Sequence, residues 1–188
     1  MERWQLLEQL ISGNLIKNRG AEIGVWKGKT SYYLLKQFPR LTLICVDPYK
    51  NYEHWDKYHD TGMYKNPKEF NALGESVFKD LKKKYGNRVW CAREESLVVA
   101  KKVDDLSLDF VFIDANYGYK YVKEDILAWF PKLRIGGVMF GHCINSNKDS
   151  PNSVKRAVEE TIGTNYSVKE GRWCYVKENQ EIGKKCLK

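Results

Sequence analysis

No apolar run in this chain approaches the roughly 18 residues that a membrane-spanning helix needs, so no membrane role is expected. No Cys-x-x-Cys pair is present, and the five cysteines make an odd, scattered set. That counts against both a zinc site and a disulfide framework. Cys45, Cys91, Cys143 and Cys174 fall in apolar runs and read as small buried hydrophobes, while Cys186 reads as an exposed thiol in the tail. The first residues, Met1-Glu2-Arg3-Trp4-Gln5-Leu6-Leu7, lack the basic, apolar and small-residue order of a secretory signal. A cytoplasmic location is therefore the expectation. Internal repeats, low-complexity segments and interdomain linkers are also missing.

What is there suits a folded protein. The 188 residues, 43% apolar and 30% charged, fit a single domain over 1–188 with a full core. The net charge of +8 could draw phosphates, anionic substrates or nucleic acid. The lysines are nevertheless interleaved with 24 acids. Their densest group, Lys82-Lys83-Lys84, ends a predicted helix, where cations complement the helix dipole.

Trp4, Leu7, Leu10 and Ile11 recur at helical spacing, so a helix is expected within residues 1–18. Gly20 to Val25 reads as a short strand running into glycines, and Thr30 to Phe38 as a helix stopped by Pro39. Leu41 to Asp47 is a nearly continuous apolar run ending on an acid, the pattern of a strand buried on both faces of a parallel sheet. Residues 48–67 are aromatic, polar and irregular; their length and their Tyr49–His59 aromatics suit either a lid over a substrate or a tyrosine-rich surface loop packed on the core. Further along come a helix over Lys68–Tyr85, a strand over Arg88–Ala92 and a short helix over Leu97–Lys102. Leu108 to Asp114 is a second buried strand ending on an acid, followed by a helix over Tyr121–Phe130 that Pro131 stops. Gly136 to His142 is a third, with a Gly-Gly turn before it, followed by a helix over Val154–Ile162. Tyr166–Glu170 and Trp173–Lys177 flank Gly171-Arg172 as a closing β-hairpin, and 179–188 is a tail. Strands alternating with helices define a doubly wound α/β sheet, in which ligands bind at the C-terminal edge of the strands.

Several chemically distinctive residues fall at predicted strand ends. The turn Glu22-Ile23-Gly24-Val25-Trp26-Lys27-Gly28-Lys29-Thr30 follows the first strand, Asp47 ends the second and Asp114 the fourth. Glycines there tighten the turn and let a ligand approach the backbone. Asp47 could accept hydrogen bonds from both ribose hydroxyls of an adenosyl ligand. Glu22 could hold the turn or reach a ligand's amino group. Glycine spacing also discriminates: a Gly-x-Gly-x-x-Gly turn is missing after the first strand, which disfavours a nicotinamide-binding protein.

These residues, together with Asp47-Pro48-Tyr49, Phe112-Ile113-Asp114-Ala115, Gly136-Gly137 and Gly141-His142-Cys143, resemble the class I S-adenosylmethionine-dependent methyltransferases. The likeness is to a small-molecule group with Glu-x-Gly-x-x-x-Gly, Asp-Pro-Tyr, Phe-Ile-Asp-Ala and Gly-His-Asp motifs, and it runs from about residue 20 to 178. It implies a mostly parallel seven-stranded sheet whose last strand is antiparallel. It also implies S-adenosylmethionine as cofactor. The loop, including Glu22, Gly24, Val25, Trp26, Gly28 and Thr30, would hold the methionine part, Asp47 the ribose, and Glu95 and Ser96 the adenine. Asp114 would lie near the methyl group, and His142 close to the substrate. The chain departs from the pattern at Asn116-Tyr117-Gly118-Tyr119, where the group often has Asp-His-Ser-Tyr, and at Cys143, where it has Asp.

Methyl transfer is an in-line displacement from a good leaving group, so positioning supplies much of the rate. A hydroxyl acceptor must also lose a proton, and the candidate bases are His142 and Asp114. Asp114 and Asn116 offer two oxygens to a hard cation and Cys143 replaces a third, so no metal is expected. The expected partner is a small-molecule acceptor methylated on oxygen; oligomeric state is open. Two alternatives remain. One is an RNA or DNA methyltransferase, to which basic charge and loop aromatics point. Against it, the Asn/Asp-Pro-Pro-Tyr signature and an appended binding domain are absent. The other is a non-catalytic binding module that keeps the fold.

Overall fold

The computed structural model describes residues 18–50, 66–147 and 149–178. The expected N-terminal helix, nearly all of the expected lid and the tail lie outside them. Seven strands and five α-helices are described: β1 (Arg19–Ile23), α1 (Lys29–Gln37), β2 (Thr42–Val46), α2 (Pro67–Tyr85), β3 (Val89–Ala92), α3 (Ser96–Ala100), β4 (Leu108–Ile113), α4 (Tyr119–Trp129), β5 (Leu133–Gly141), α5 (Ser153–Ile162), β6 (Ser167–Lys169) and β7 (Arg172–Val176). The sheet order is β3-β2-β1-β4-β5-β7-β6. The β1 to β5 pairings are parallel, and β7 runs antiparallel between β5 and β6. No helix among the described residues is long and apolar enough to cross a membrane.

The period-two alternation of strand side chains divides the core into two layers. Ala21, Ile23, Ile44, Val46, Val111, Ile113 and Met139 face Val99, Val122, Ile126, Trp129, Val154 and Val158 from α3, α4 and α5. Leu43, Cys45, Phe110, Phe112, Val138 and Phe140 face Leu34, Leu35, Phe70, Val77, Phe78 and Leu81 from α1 and α2. Every residue of β4 is buried, because it lies at the sheet centre with helices on both sides.

Several boundaries shift by a residue or more from the sequence reading, and two of the shifts have a tertiary cause. The strand expected to start after the Gly-Gly turn begins earlier, at Leu133. Gly136-Gly137 is an irregularity inside β5: Leu108 pairs with Leu133 but Phe110 with Val138. Gly136, at φ 74°, donates its N–H to the Lys177 carbonyl (2.7 Å), so β7 absorbs the bulge. Helix α4 starts at Tyr119 rather than Tyr121, because Asp149, 30 residues away, accepts the Tyr119 N–H at 2.9 Å.

Candidate active site

Four residues just past the parallel strands are held in a row by one further hydrogen bond each. The Gly24 N–H donates to the Val46 carbonyl (2.8 Å) and Asp47 N–H to Ala92 (3.2 Å). Asp114 N–H donates to Ile23 (2.8 Å) and His142 N–H to Ile113 (3.3 Å). Each extends the ladder by one residue, so register alone brings all four to one edge of the sheet. The chain leaves β1 for β2 on one side, while β4 lies on the other. Their boundary is the switch point where open α/β sheets form a crevice.

The glycine loop is built by its neighbours. Gly24 has φ 91°, and a Cβ there would stand 2.4 Å from the Asp114 carbonyl oxygen and 2.8 Å from Ala115 Cα. The close approach that requires glycine is thus the backbone after β4. Gly28, at φ 72°, is the left-handed residue preceding α1, and its N–H closes the turn onto the Val25 carbonyl (2.8 Å). Thr30 is buried in the first turn of α1. Below the loop, the buried Glu22 carboxylate accepts a hydrogen bond from the Ser31 hydroxyl, tying α1 to β1. Of the two roles expected for Glu22, that contact is the structural one.

Asp47 spends both carboxylate oxygens on backbone. Oδ2 accepts the N–H groups of Val25 (3.0 Å) and Trp26 (2.9 Å), and Oδ1 accepts that of Tyr49 (2.8 Å). Burial pushes its carboxyl up, against the pull of those three N–H groups and of Arg93. Tyr49 completes the clamp: its hydroxyl donates to the Trp26 carbonyl at 2.6 Å, and its ring packs on Phe70 and Phe78 of α2. Asp-Pro-Tyr therefore sets the shape of the loop. A carboxylate has about four lone-pair directions, so one remains on Asp47 for a ligand hydroxyl. Trp26 supplies an unmatched donor, since its indole Nε1 is buried with no hydrogen-bond partner among the described residues. A buried N–H left without an acceptor costs about 1–3 kcal/mol. Such a donor in the loop fits a polar cofactor that would satisfy it.

At the β3 end, Glu95 is 45% exposed, with Lys50 Nζ 3.8 Å from its carboxylate. Ser96 faces the other way. Its hydroxyl accepts the Trp129 indole N–H (2.7 Å) and bonds the buried Asp125. Asp125 carries no signal in the sequence beyond its place in a helix; its carboxyl is raised to about 7 by burial first, with Glu124 and Glu95 adding and the Ser96 hydroxyl opposing. An acid raised in the fold stabilises the protein below its ordinary range and loses that contribution as pH rises through the folded value. From about pH 5 to about pH 8 the protein should lose roughly 2–3 kcal/mol at this group, seen as about 5–10 °C in Tm. Asp125→Asn should flatten that slope, because an amide cannot ionise; an equally steep fall of Tm with pH in the variant would refute it.

On the acceptor side, Asp114 is nearly buried (side chain 4% exposed) and His142 is open (25%), with Nδ1 3.9 Å from Asp114 Oδ1. Tyr117, absent from the sequence-based candidates, donates its hydroxyl to Asp114 and lies 3.5 Å from His142 Nδ1. Cys143 Sγ is 3.0 Å from the same nitrogen. The signal available in the sequence was position: Tyr117 lies three residues past the strand-end acid. Asn116 Oδ1 instead accepts the Gly118 N–H within its own loop (3.0 Å). Among the described residues, no group of three or more His, Cys, Asp and Glu is placed to hold a metal ion.

A methyltransferase-domain family model matches residues 21–144, and the chain belongs to that family. It is a methyltransferase. No curated protein matches it in sequence. Similar solved structures include a Staphylococcus aureus protein provisionally assigned as a caffeoyl-CoA O-methyltransferase, 16% identical with TM-score 0.69 over 94% of this chain and 84% of that one. The TDP-rhamnose 3′-O-methyltransferase of calicheamicin biosynthesis is 14% identical, with TM-score 0.60 over 95% and 82%. A cofactor-bound protein from MTB is 16% identical, with TM-score 0.60 over 95% and 82%. At these identities the likeness is one of fold.

Proposed function

We propose that this methyltransferase uses S-adenosylmethionine to methylate an oxygen of a small molecule. The observation that carries this reading is the row of Gly24, Asp47, Asp114 and His142 along one sheet edge. When bound, S-adenosylmethionine supplies an electrophilic methyl group on a sulfonium, which is a good leaving group. The loop from Glu22 to Thr30 holds the methionine part, with Val25 and Trp26 fixed by Asp47. The remaining lone pair of Asp47 takes a ribose hydroxyl. Glu95 and the backbone at Ser96 border the adenine. Asp114 stands where the β1 loop and the acceptor side meet, and His142, the more open of the two, removes the proton of the acceptor hydroxyl. Two of the structural neighbours are named for oxygen methylation, one of them on a sugar, which supports the choice of oxygen.

Calorimetric titration is expected to show one S-adenosylmethionine site on the purified chain. Formation of S-adenosylhomocysteine across a panel of hydroxylated small molecules would then identify the acceptor. With that acceptor, His142→Asn should lower kcat by roughly 10²–10⁴ while cofactor affinity stays within about twofold. No heat of cofactor binding would sink the reading. Turnover of RNA or DNA that falls steeply with salt would replace the small-molecule acceptor with a nucleic acid.

A further inference from the structure

We propose that the face formed by α1 and the second half of α2 docks the phosphate backbone of a nucleic acid, apart from the methyl-transfer site.

Folding sorts charges that the chain interleaves. Helix α1 carries Lys29 and Lys36 and no acid. From Ser76 to its end, α2 carries Lys79, Lys82, Lys83 and Lys84 against Asp80 alone, and Arg88 follows in the turn into β3. All of these lysines are exposed. Among the described residues, neither they nor Arg88 form an ion pair with a carboxylate. Asp80 accepts the Tyr32 hydroxyl (2.7 Å). The other helical layer differs. Cations and acids are equal in number on α4 and α5, and Lys120, Lys123 and Lys155 pair with Glu124, Glu160 and Glu159.

The two helices present their cations as one surface because they are locked together. The Tyr85 hydroxyl donates to the Tyr32 carbonyl (3.2 Å), and Lys84 Nζ stands 5.7 Å from the centres of both rings. Arg88 lies over the Tyr85 ring (5.1 Å) and donates to the Leu35, Phe38 and Leu41 carbonyls. Those bonds cap the end of α1, so its carbonyls do not need Lys36. The helix dipole acts within the last turn, and Lys79 lies outside that turn of α2. Complementing helix ends therefore accounts for Lys82 to Lys84 and leaves Lys36 and Lys79 over.

The basic end of this face lies far from the chemistry. Leu41 precedes β2, and Val89, whose carbonyl accepts from Lys82 Nζ (3.2 Å), opens β3. That is the edge where the parallel strands begin. Gly24, Asp47, Asp114 and His142 lie where they end. The five residues of β2 put about 15 Å between the two edges. A nucleic acid docked here is a binding partner and not the methyl acceptor.

Charge without apolar contact selects the partner. None of the large hydrophobic side chains exposed among the described residues belongs to α1 or α2. A helix lying on a membrane buries an apolar face. The cations are strung along two helices, which suits a repeating line of phosphates better than one small anion. The Tyr32 and Tyr85 rings already carry Lys84 or Arg88 over a face. Contact is therefore to phosphate, which positions a strand without reading its sequence.

Fluorescence anisotropy of a labelled uridine RNA of about 20 nucleotides, titrated with the purified chain from about 50 to about 200 mM salt, tests this. The logarithm of the affinity should fall linearly with that of salt, by about 0.7 per neutralised phosphate. The combined variant Lys36→Gln, Lys79→Gln, Lys83→Gln should fold as wild type does, since these side chains hold nothing in place. Its salt slope should be shallower by about 2, and its affinity at about 0.1 M salt roughly 100-fold lower. Lys120→Gln, Lys123→Gln, Lys155→Gln removes equal charge from the other layer and should change affinity less than about threefold. Binding of a duplex DNA of similar length, with the steeper slope of about 0.9 per phosphate, would also support the proposal. No binding up to about 100 µM protein at the lowest salt overturns it, as does equal loss in the two variants. Binding to phosphatidylserine vesicles but not to nucleic acid would assign the face to a membrane instead. RNA methylated equally by wild type and the α1–α2 variant would put the strand at the site edge and overturn the docking face. The readout needs neither cofactor nor acceptor, so failure of S-adenosylmethionine to bind would leave this result standing.

Discussion

Gly24→Ala is expected to yield a chain that no longer reaches the native state at 37 °C. The added Cβ would lie 2.4 Å from the Asp114 oxygen and 2.7 Å from its carbonyl carbon. Those atoms are backbone, so no rotamer change relieves the overlap. Relief requires β1 and β4 to separate at their ends. That breaks the 2.8 Å bond from Asp114 N–H to the Ile23 carbonyl, which extends the sheet at the switch point. Overpacking costs about 1–3 kcal/mol and a left-handed alanine about 1–2 kcal/mol. The broken ladder bond adds roughly another 1 kcal/mol. The total of about 3–6 kcal/mol is a large share of a typical domain's stability of about 5–15 kcal/mol. Gly28→Ala is the control. It also sits at positive φ (72°), but the nearest atoms its Cβ would meet are those of the Tyr32 and Val77 side chains at 3.0 Å, which can shift. It should cost about 1–2 kcal/mol. Urea unfolding of the two variants measures the difference, and equal midpoints would contradict the argument.

Asp47→Asn should be the most damaging conservative change to the cofactor loop. The carboxylate takes the Val25 and Trp26 N–H groups on one oxygen and that of Tyr49 on the other. An amide has one oxygen. Whichever way it is turned, its NH₂ faces at least one backbone N–H, leaving a buried donor unsatisfied at about 1–3 kcal/mol. The loop then loses its shape before any ligand arrives. Stability should fall by about 2–4 kcal/mol, or about 4–16 °C in Tm, and cofactor affinity by tenfold or more. Asp47→Glu should not rescue it, because the longer side chain cannot keep the same three contacts. An Asn variant that melts like wild type and loses only cofactor affinity would mean that Asp47 serves the ribose alone.

Asp47 shows how far the sequence reading reached. An acid ending an apolar run was enough to place it at the ligand edge of a parallel sheet, and Asp114 and His142 were placed by the same reasoning. Each strand contributes its next residue to the same edge. What that acid touches was not legible. Its three N–H partners come from a loop some twenty residues earlier and from its own turn. Ser96 was placed at the right edge too, yet its hydroxyl bonds Trp129 and Asp125, and the helical pattern gives no sign of that. The Gly-Gly pair was legible as a backbone irregularity, but only its neighbours β4 and β7 show that it is a bulge inside β5. Tyr117 had no periodic signal at all, being a loop residue whose meaning lies in Asp114 and His142.

The sequence by itself determined the order of strands and helices and which residues end up at the C-terminal edge. Hydrophobic period and strand-end position are short-range properties, written within a few residues. Tertiary structure alone decided that Gly24 must yield to the β4 backbone, that Asp47 shapes the loop and that Tyr117 joins Asp114 to His142. Those outcomes depend on strand register, on which helices cover which face, and on where each donor finds its acceptor. None of these is set by residues that are neighbours in the chain.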